Sequence, residues 1–165
     1  MDKGIQLVGF RIGPQTFALP ISTVREIIRV PEVTSIPDAP NYVEGVINLR
    51  GRIIPVIDLR KRFGAPAAEG DKRNRIVVVE LEMRAIGLIV NSASEVLKFQ
   101  PSEIEQPNNV FREGDLNYVT GVGKLKDRLV ILLDVSRMLQ YGQLGRLDAE
   151  LMEETGAQKM PLERA

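Results

Sequence analysis

The sequence predicts an all-β domain carrying a few short helices, and three observations lead there. Runs rich in Val, Ile and Leu are short and are broken by turn residues at close intervals, as in small barrels and sandwiches. Helical signals are confined to a few stretches of one or two turns. A hairpin followed by Asp and a short helical stretch occurs twice, in the same order. At 165 residues, 44% hydrophobic and 27% charged, the chain has ordinary globular composition and length enough to bury a core.

The elements follow in chain order. IQLVGFRI (5–12) alternates imperfectly, and Gly13 and Pro14 end it before QTFALPI (15–21). Ser22 is placed to cap a short helix over TVREIIR (23–29), with Arg25 and Glu26 outside. GVINLR (45–50) and RIIPVIDL (52–59) flank Gly51, which suits a hairpin. DLRKRFG (58–64) opens on an N-cap Asp and closes on a Gly, so it reads as a helix of one or two turns. RIVVVELEM (75–83) and AIGLIVNS (85–92) form a further pair around Arg84. EVLKF (95–99), YVTGVGKL (118–125) and RLVILLDV (128–135) complete the strands. VSRMLQYG (135–142) repeats the helical form, with Ser136 as cap and Gly142 as stop.

The repeat is explicit in the residues. GVINLRGRIIPVIDL (45–59) aligns without gaps onto GVGKLKDRLVILLDV (121–135), matching Gly45, Val46, Leu49, Arg52 and Asp58 to Gly121, Val122, Leu125, Arg128 and Asp134. FALPISTVREII (17–28) lies over IGLIVNSASEVL (86–97), setting Leu19, Ser22, Glu26 and Ile27 against Leu88, Asn91, Glu95 and Val96. The expected organisation is one domain over residues 1–142, with β repeats at about 5–63 and 75–141, then an acidic tail at 143–165. Two polar linkers, at 64–74 and 102–117, separate the strong segments. Leu144, Leu147, Leu151 and Met152 fall at helical spacing and suggest a terminal helix. Residues 148–165 carry five acids and two bases.

Composition argues against chemistry. The absence of Cys excludes a disulfide scaffold, an iron–sulfur protein and a thiol enzyme, and the absence of His removes the commonest general base and zinc ligand. Lys and Arg total 22, as do Asp and Glu, so there is no basic excess for nucleic acid or anionic membrane. Gly121-Val122-Gly123-Lys124 lacks the phosphate-loop pattern, because Tyr118 stands where a Gly is required and Leu125 where Ser or Thr is required; a plain turn is expected there. Glu80 and Glu82 share a strand face and read as solvated rather than as a catalytic pair. Asp58 and Asp134 occupy equivalent repeat positions, where N-capping explains both without a metal. The cationic stretches 60–62 and 72–75 lack interleaved aromatics and read as solvated. No cofactor is implied. With no apolar run long enough to span a bilayer and no signal-peptide pattern, the chain reads as soluble and cytoplasmic.

Residues 42–63, YVEGVINLRGRIIPVIDLRKRF, resemble the signature of the CheW-like chemotaxis coupling proteins: Gly45, Val46, Asn48, Leu49, Arg50 and Gly51, then an apolar strand, Asp58 and Leu59. TFALPISTVREII (16–28), IGLIVNSASEVLKF (86–99) and YVTGVGKLKDRLVILLDVSRML (118–139) extend the resemblance over about residues 5–141. It implies two five-stranded SH3-like β-barrels packed about a shared hydrophobic seam, with strands exchanged between them. It implies a non-enzymatic scaffold that joins the cytoplasmic tips of methyl-accepting chemotaxis receptors to the regulatory domain of the histidine kinase CheA. Such a protein reaches the membrane only through receptor arrays. The alternatives are an adaptor of the same type serving another output, and, from a different class, a metal-dependent enzyme using Asp58 or Asp134.

The resemblance also implies residues. Val8, Ile21, Val24 and Ile27 would line the receptor groove, Val24 and Ile27 sharing one face of a short helix. A receptor helix would bury apolar side chains there. Gly45, Asn48, Leu49, Arg50 and Gly51 would form a coupling interface toward kinase or receptor. For the glycines, turn geometry competes with that role; for Arg50, a structural hydrogen bond competes equally.

Overall fold

The computed structural model describes residues 4–65, 71–106 and 118–140. Eleven strands and two short helices run in the order β1 Ile5–Ile12, β2 Gln15–Pro20, β3 Val24–Arg29, β4 Val43–Leu49, β5 Arg52–Asp58, α1 Leu59–Arg62, β6 Arg75–Leu81, β7 Arg84–Val90, β8 Ser92–Phe99, β9 Ile104–Glu105, β10 Val119–Lys124, β11 Leu129–Leu133 and α2 Val135–Gln140. A single 3₁₀ turn, Pro101–Glu103, leads into β9. The terminal helix suggested by Leu144 to Met152, the Gly142 stop and most of the polar linkers lie outside the described residues.

The strands form two sheets. The first is ordered β8-β1-β2-β11-β10-β9 and the second β3-β6-β7-β5-β4. Setting aside the two-residue β9, the two orders correspond strand for strand under the sequence repeat, with β8 matching β3, β1 matching β6, β2 matching β7, β11 matching β5 and β10 matching β4. Each sheet takes one hairpin from one repeat and its remaining strands from the other. The β2–β11 and β5–β7 pairings are parallel; the rest are antiparallel.

Both sheets are apolar on both faces, which explains why the strands read as continuous runs rather than clean alternations. Along β6, Val77 and Val79 enter the core shared by the two sheets, while Ile76 and Val78 enter a separate cluster behind the second sheet. Along β1 and β2, Phe10 and Leu19 face the shared core, and Leu7 and Ala18 face a third cluster behind the first sheet. A file of stacked rings, Phe10, Phe17, Phe63 and Tyr118, lies in or against the shared core, with successive centroids 6.1, 5.3 and 6.2 Å apart.

Several expectations are corrected. Residues 24–29 are strand β3, not a helix. Thr23, Val24, Ile27 and Ile28 are β-branched and stiff, and β6 offers them a partner along its whole length. The stretch 121–124 lies within strand β10 rather than in a turn. The hairpin near Arg84 turns on Glu82 and Met83, both with positive φ, so Glu82 leaves the strand face it was expected to share with Glu80. The second helix is capped by Asp134, whose Oδ1 accepts the Ser136 hydroxyl at 2.7 Å and the Arg137 N–H at 3.2 Å, rather than by Ser136.

Candidate functional site

The chain crosses from the first sheet to the second in the turn at 21–23. Ile21 N–H donates to Gln6 O at 3.2 Å, and Val24 N–H donates back to Ile21 O at 3.3 Å. The turn therefore brings Ile21 beside the start of β1 and Val24 to the start of β3. Val8, on β1, pairs with Leu19 on one side and Val96 on the other. Opposed residues in an antiparallel ladder point to the same face, so Val8, Leu19 and Val96 stand in one row.

The four expected groove residues differ in exposure. Val8 is buried and Val24 half-buried against the shared core. Ile21 is 41% exposed and Ile27 36% exposed. Exposure along β3 alternates, but a bulge between Val24 and Glu26 sets the facing: Val24 and Ile27 pair with Val79 and Val77, whereas Glu26 and Ile28 pair with Val78 and Ile76. Val24 and Ile27 thus lie on the shared-core face of the sheet and Glu26 and Ile28 on the opposite face; the face that Val24 and Ile27 share is a strand's, not a helix's. Val8, Ile21 and Val24 flank the junction of the sheets, and Ile27 continues the same face along β3, partly exposed. The residue that sequence reasoning missed is Val96, 64% exposed beside Val8. Its signal was present, because the repeat sets Val96 opposite Ile27.

The loop from 45 to 51 is built by different forces at each position. Gly45 is buried with φ 142° at a bulge in the β4–β5 ladder, and a Cβ there would sit 1.9 Å from the Thr34 carbonyl oxygen. Thr34 and Val46 exchange two backbone hydrogen bonds of 2.9 Å at that point, so the chain leaving β3 is pressed onto β4. Arg50 and Gly51 both have positive φ and form the two-residue turn between β4 and β5, the geometry that matches strand twist. Asn48 Oδ1 accepts the Gly51 N–H at 2.9 Å and Leu49 packs against the cluster behind the second sheet. Arg50 is exposed and forms an ion pair with Glu26 on β3, rather than the carbonyl contacts expected of a structural arginine. That pair joins the two outermost strands of the second sheet at one end.

The carboxylates considered for catalysis have other employment. Both oxygens of Asp58 are held by Arg60, and Asp134 caps α2. Glu80 forms an ion pair with Arg25. Among the described residues no group of three or more His, Cys, Asp or Glu is placed to hold a metal ion. The cationic stretches are not free stripes either. Arg60 is buried, which corrects its reading as solvated; Lys61 reaches Glu44 at 3.2 Å, and Arg73 bridges to Asp71 at 2.9 Å. The two Arg73 contacts and their charge hold the Asp71 carboxyl down at about 2.

Comparison with known proteins agrees with this geometry. The family model for the CheW-like domain matches residues 6–143. The chain is 36% identical to the chemotaxis protein CheW of Helicobacter pylori over 140 residues, 84% of each chain. It is 35% identical to the chemotaxis protein CheW of Rhizobium meliloti over 134 residues, 81% of this chain and 86% of that one. A crystal structure titled scaffolding protein TtCheW, from Thermoanaerobacter tengcongensis, superposes with a TM-score of 0.71 at 37% identity, covering 79% of this chain and 89% of that chain.

Proposed function

This chain belongs to the CheW-like family, and from that premise we propose that it is a scaffold coupling chemoreceptors to the histidine kinase CheA. The observation that carries the reading is the exposed apolar strip at the junction of the two sheets. Ile21, Ile27 and Val96 leave large aliphatic side chains in solvent around a buried Val8, although most other aliphatic side chains among the described residues are buried. Such a strip is a site for burying a partner's apolar face, and a helix laid into a groove is the form a receptor tip would offer. The ordered carboxylates, engaged in caps and ion pairs, fit a protein that works by contact.

In this reading the receptor helix covers the strip, and the CheA regulatory domain takes a separate surface that includes the turn at Arg50. Among the described residues no helix is long and apolar enough to cross a membrane. The protein is then cytoplasmic and arrives at receptor arrays by binding. The test is reconstitution. Receptor cytoplasmic fragments, CheA and ATP are combined with and without the protein, and co-sedimentation and kinase autophosphorylation are measured. The proposal expects CheA to sediment with receptor and to be activated only when the protein is present. Unchanged sedimentation and activity would refute it.

A further inference from the structure

The two repeats treat one acid differently. In the second repeat, Arg128 Nη2 donates to Glu95 at 2.7 Å, linking the β10–β11 connection to β8. The alignment sets Glu26 opposite Glu95 and Arg52 opposite Arg128. In the first repeat Glu26 is taken by Arg50 instead. The Arg52 side chain is exposed and has no ion-pair or hydrogen-bond partner among the described residues.

Arg52 stands on the rim of an opening of about 220 Å³ at the end of the second sheet. Leu49, Ile54 and Val78, which belong to or pack against the cluster behind that sheet, line its floor. Arg25, Glu26 and Arg50 complete the rim. Glu80 answers Arg25 and Glu26 answers Arg50, so one positive charge, that of Arg52, is left over an apolar floor. The opening is smaller than the ~300 Å³ at which small-molecule pockets begin, so it fits a side chain rather than a free ligand.

We propose that this opening is an interaction surface for an acidic–apolar segment of a partner protein. A guanidinium fork matches a carboxylate in two parallel hydrogen bonds, and Arg52 is free to make them. The neighbouring apolar side chain of the partner covers the half-buried Leu49, beneath which Ile54 and Val78 are already buried. This surface is distinct in chemistry from the aliphatic strip; it borders the turn at Arg50 that the coupling reading gives to CheA, and the peptide test does not depend on that reading.

The test uses the full-length ¹⁵N-labelled protein and the peptide acetyl-Gly-Glu-Leu-Glu-Gly-amide, with the Gln-for-Glu peptide as its neutral counterpart. Saturable amide shifts at residues 25–26 and 49–54 are expected with the acidic peptide and not with the neutral one. Arg52→Ala should weaken binding about threefold to tenfold, as loss of an exposed charge-assisted pair does. Arg29→Ala, which removes an exposed arginine outside the opening, should leave binding unchanged. Absence of these shifts, equal binding of the neutral peptide, or equal losses in the two variants would overturn the proposal. Deleting residues 148–165 and finding the same amides moved without peptide would also overturn it, because the occupant would then be this chain's own acidic segment.

Discussion

Asp58 binds Arg60 through both carboxylate oxygens inside the protein. Oδ1 accepts Nε–H at 3.0 Å and Oδ2 accepts Nη2–H at 2.9 Å, while Oδ1 also accepts the Arg60 backbone N–H at 2.9 Å and so caps α1. Asp58 is 1% exposed and Arg60 4% exposed. Removing either partner strands the other's charge out of reach of water. Arg60→Ala and Asp58→Ala should each cost about 3–5 kcal/mol in denaturant unfolding. The double variant should lose clearly less than the sum, since neither charge is then left alone. Either single variant unfolding within about 1 kcal/mol of the parent would show that water reaches the pair.

Gly45→Ala should destabilise by about 2–4 kcal/mol, because a methyl group overlaps the Thr34 carbonyl and φ 142° is disfavoured for any L side chain. The expected signature is loss of the Thr34–Val46 bridge by hydrogen exchange at those amides. A stable Gly45→Ala variant that fails in coupling would instead mean that Gly45 contacts a partner.

Met83 occupies a left-handed turn position with φ 71° and is 88% exposed, so it loses nothing by truncation. Met83→Gly should stabilise by about 0.5–1 kcal/mol, since glycine adopts that conformation freely. For a chain of this length that is a rise of ~1–4 °C in Tm. A lower Tm would show that the turn relaxes away from positive φ in solution.

Arg50→Ala breaks an exposed ion pair, so its stability cost should stay below about 1 kcal/mol. If the turn couples receptor to kinase, receptor-dependent CheA activation should fall in the reconstituted system while the variant remains folded. Unchanged activation per folded molecule would assign Arg50 to holding β3 against the β4–β5 turn and nothing more.

The strands were legible because each sheet buries both faces, so that β6 and β11 appear as unbroken aliphatic runs between turn residues. Residues 23–29 were misread because four β-branched residues interrupted by Arg25, Glu26 and Arg29 satisfy a helix wheel as readily as a pleat. Only pairing with β6, about fifty residues away, decides between them. The capping role of Asp58 could be read locally; the burial of Arg60 could not, because a guanidinium enters the interior only when tertiary packing supplies its acid. The proposed receptor strip was legible in part for the same reason. Ile21 and Ile27 fall within the family pattern, whereas Val96 joins Val8 through the β1–β8 pairing, which the linear sequence does not display.

The most direct measurement is the affinity of a receptor cytoplasmic fragment for Ile27→Asp. Ile27 is 36% exposed, so the variant should keep its fold, verified by circular dichroism and melting. Burying an isoleucine side chain is worth about 1.5–3 kcal/mol, so Kd should rise roughly tenfold or more, with CheA binding changed much less. A folded Ile27→Asp protein that binds receptor with parental affinity would contradict the assignment of the aliphatic strip as the receptor groove.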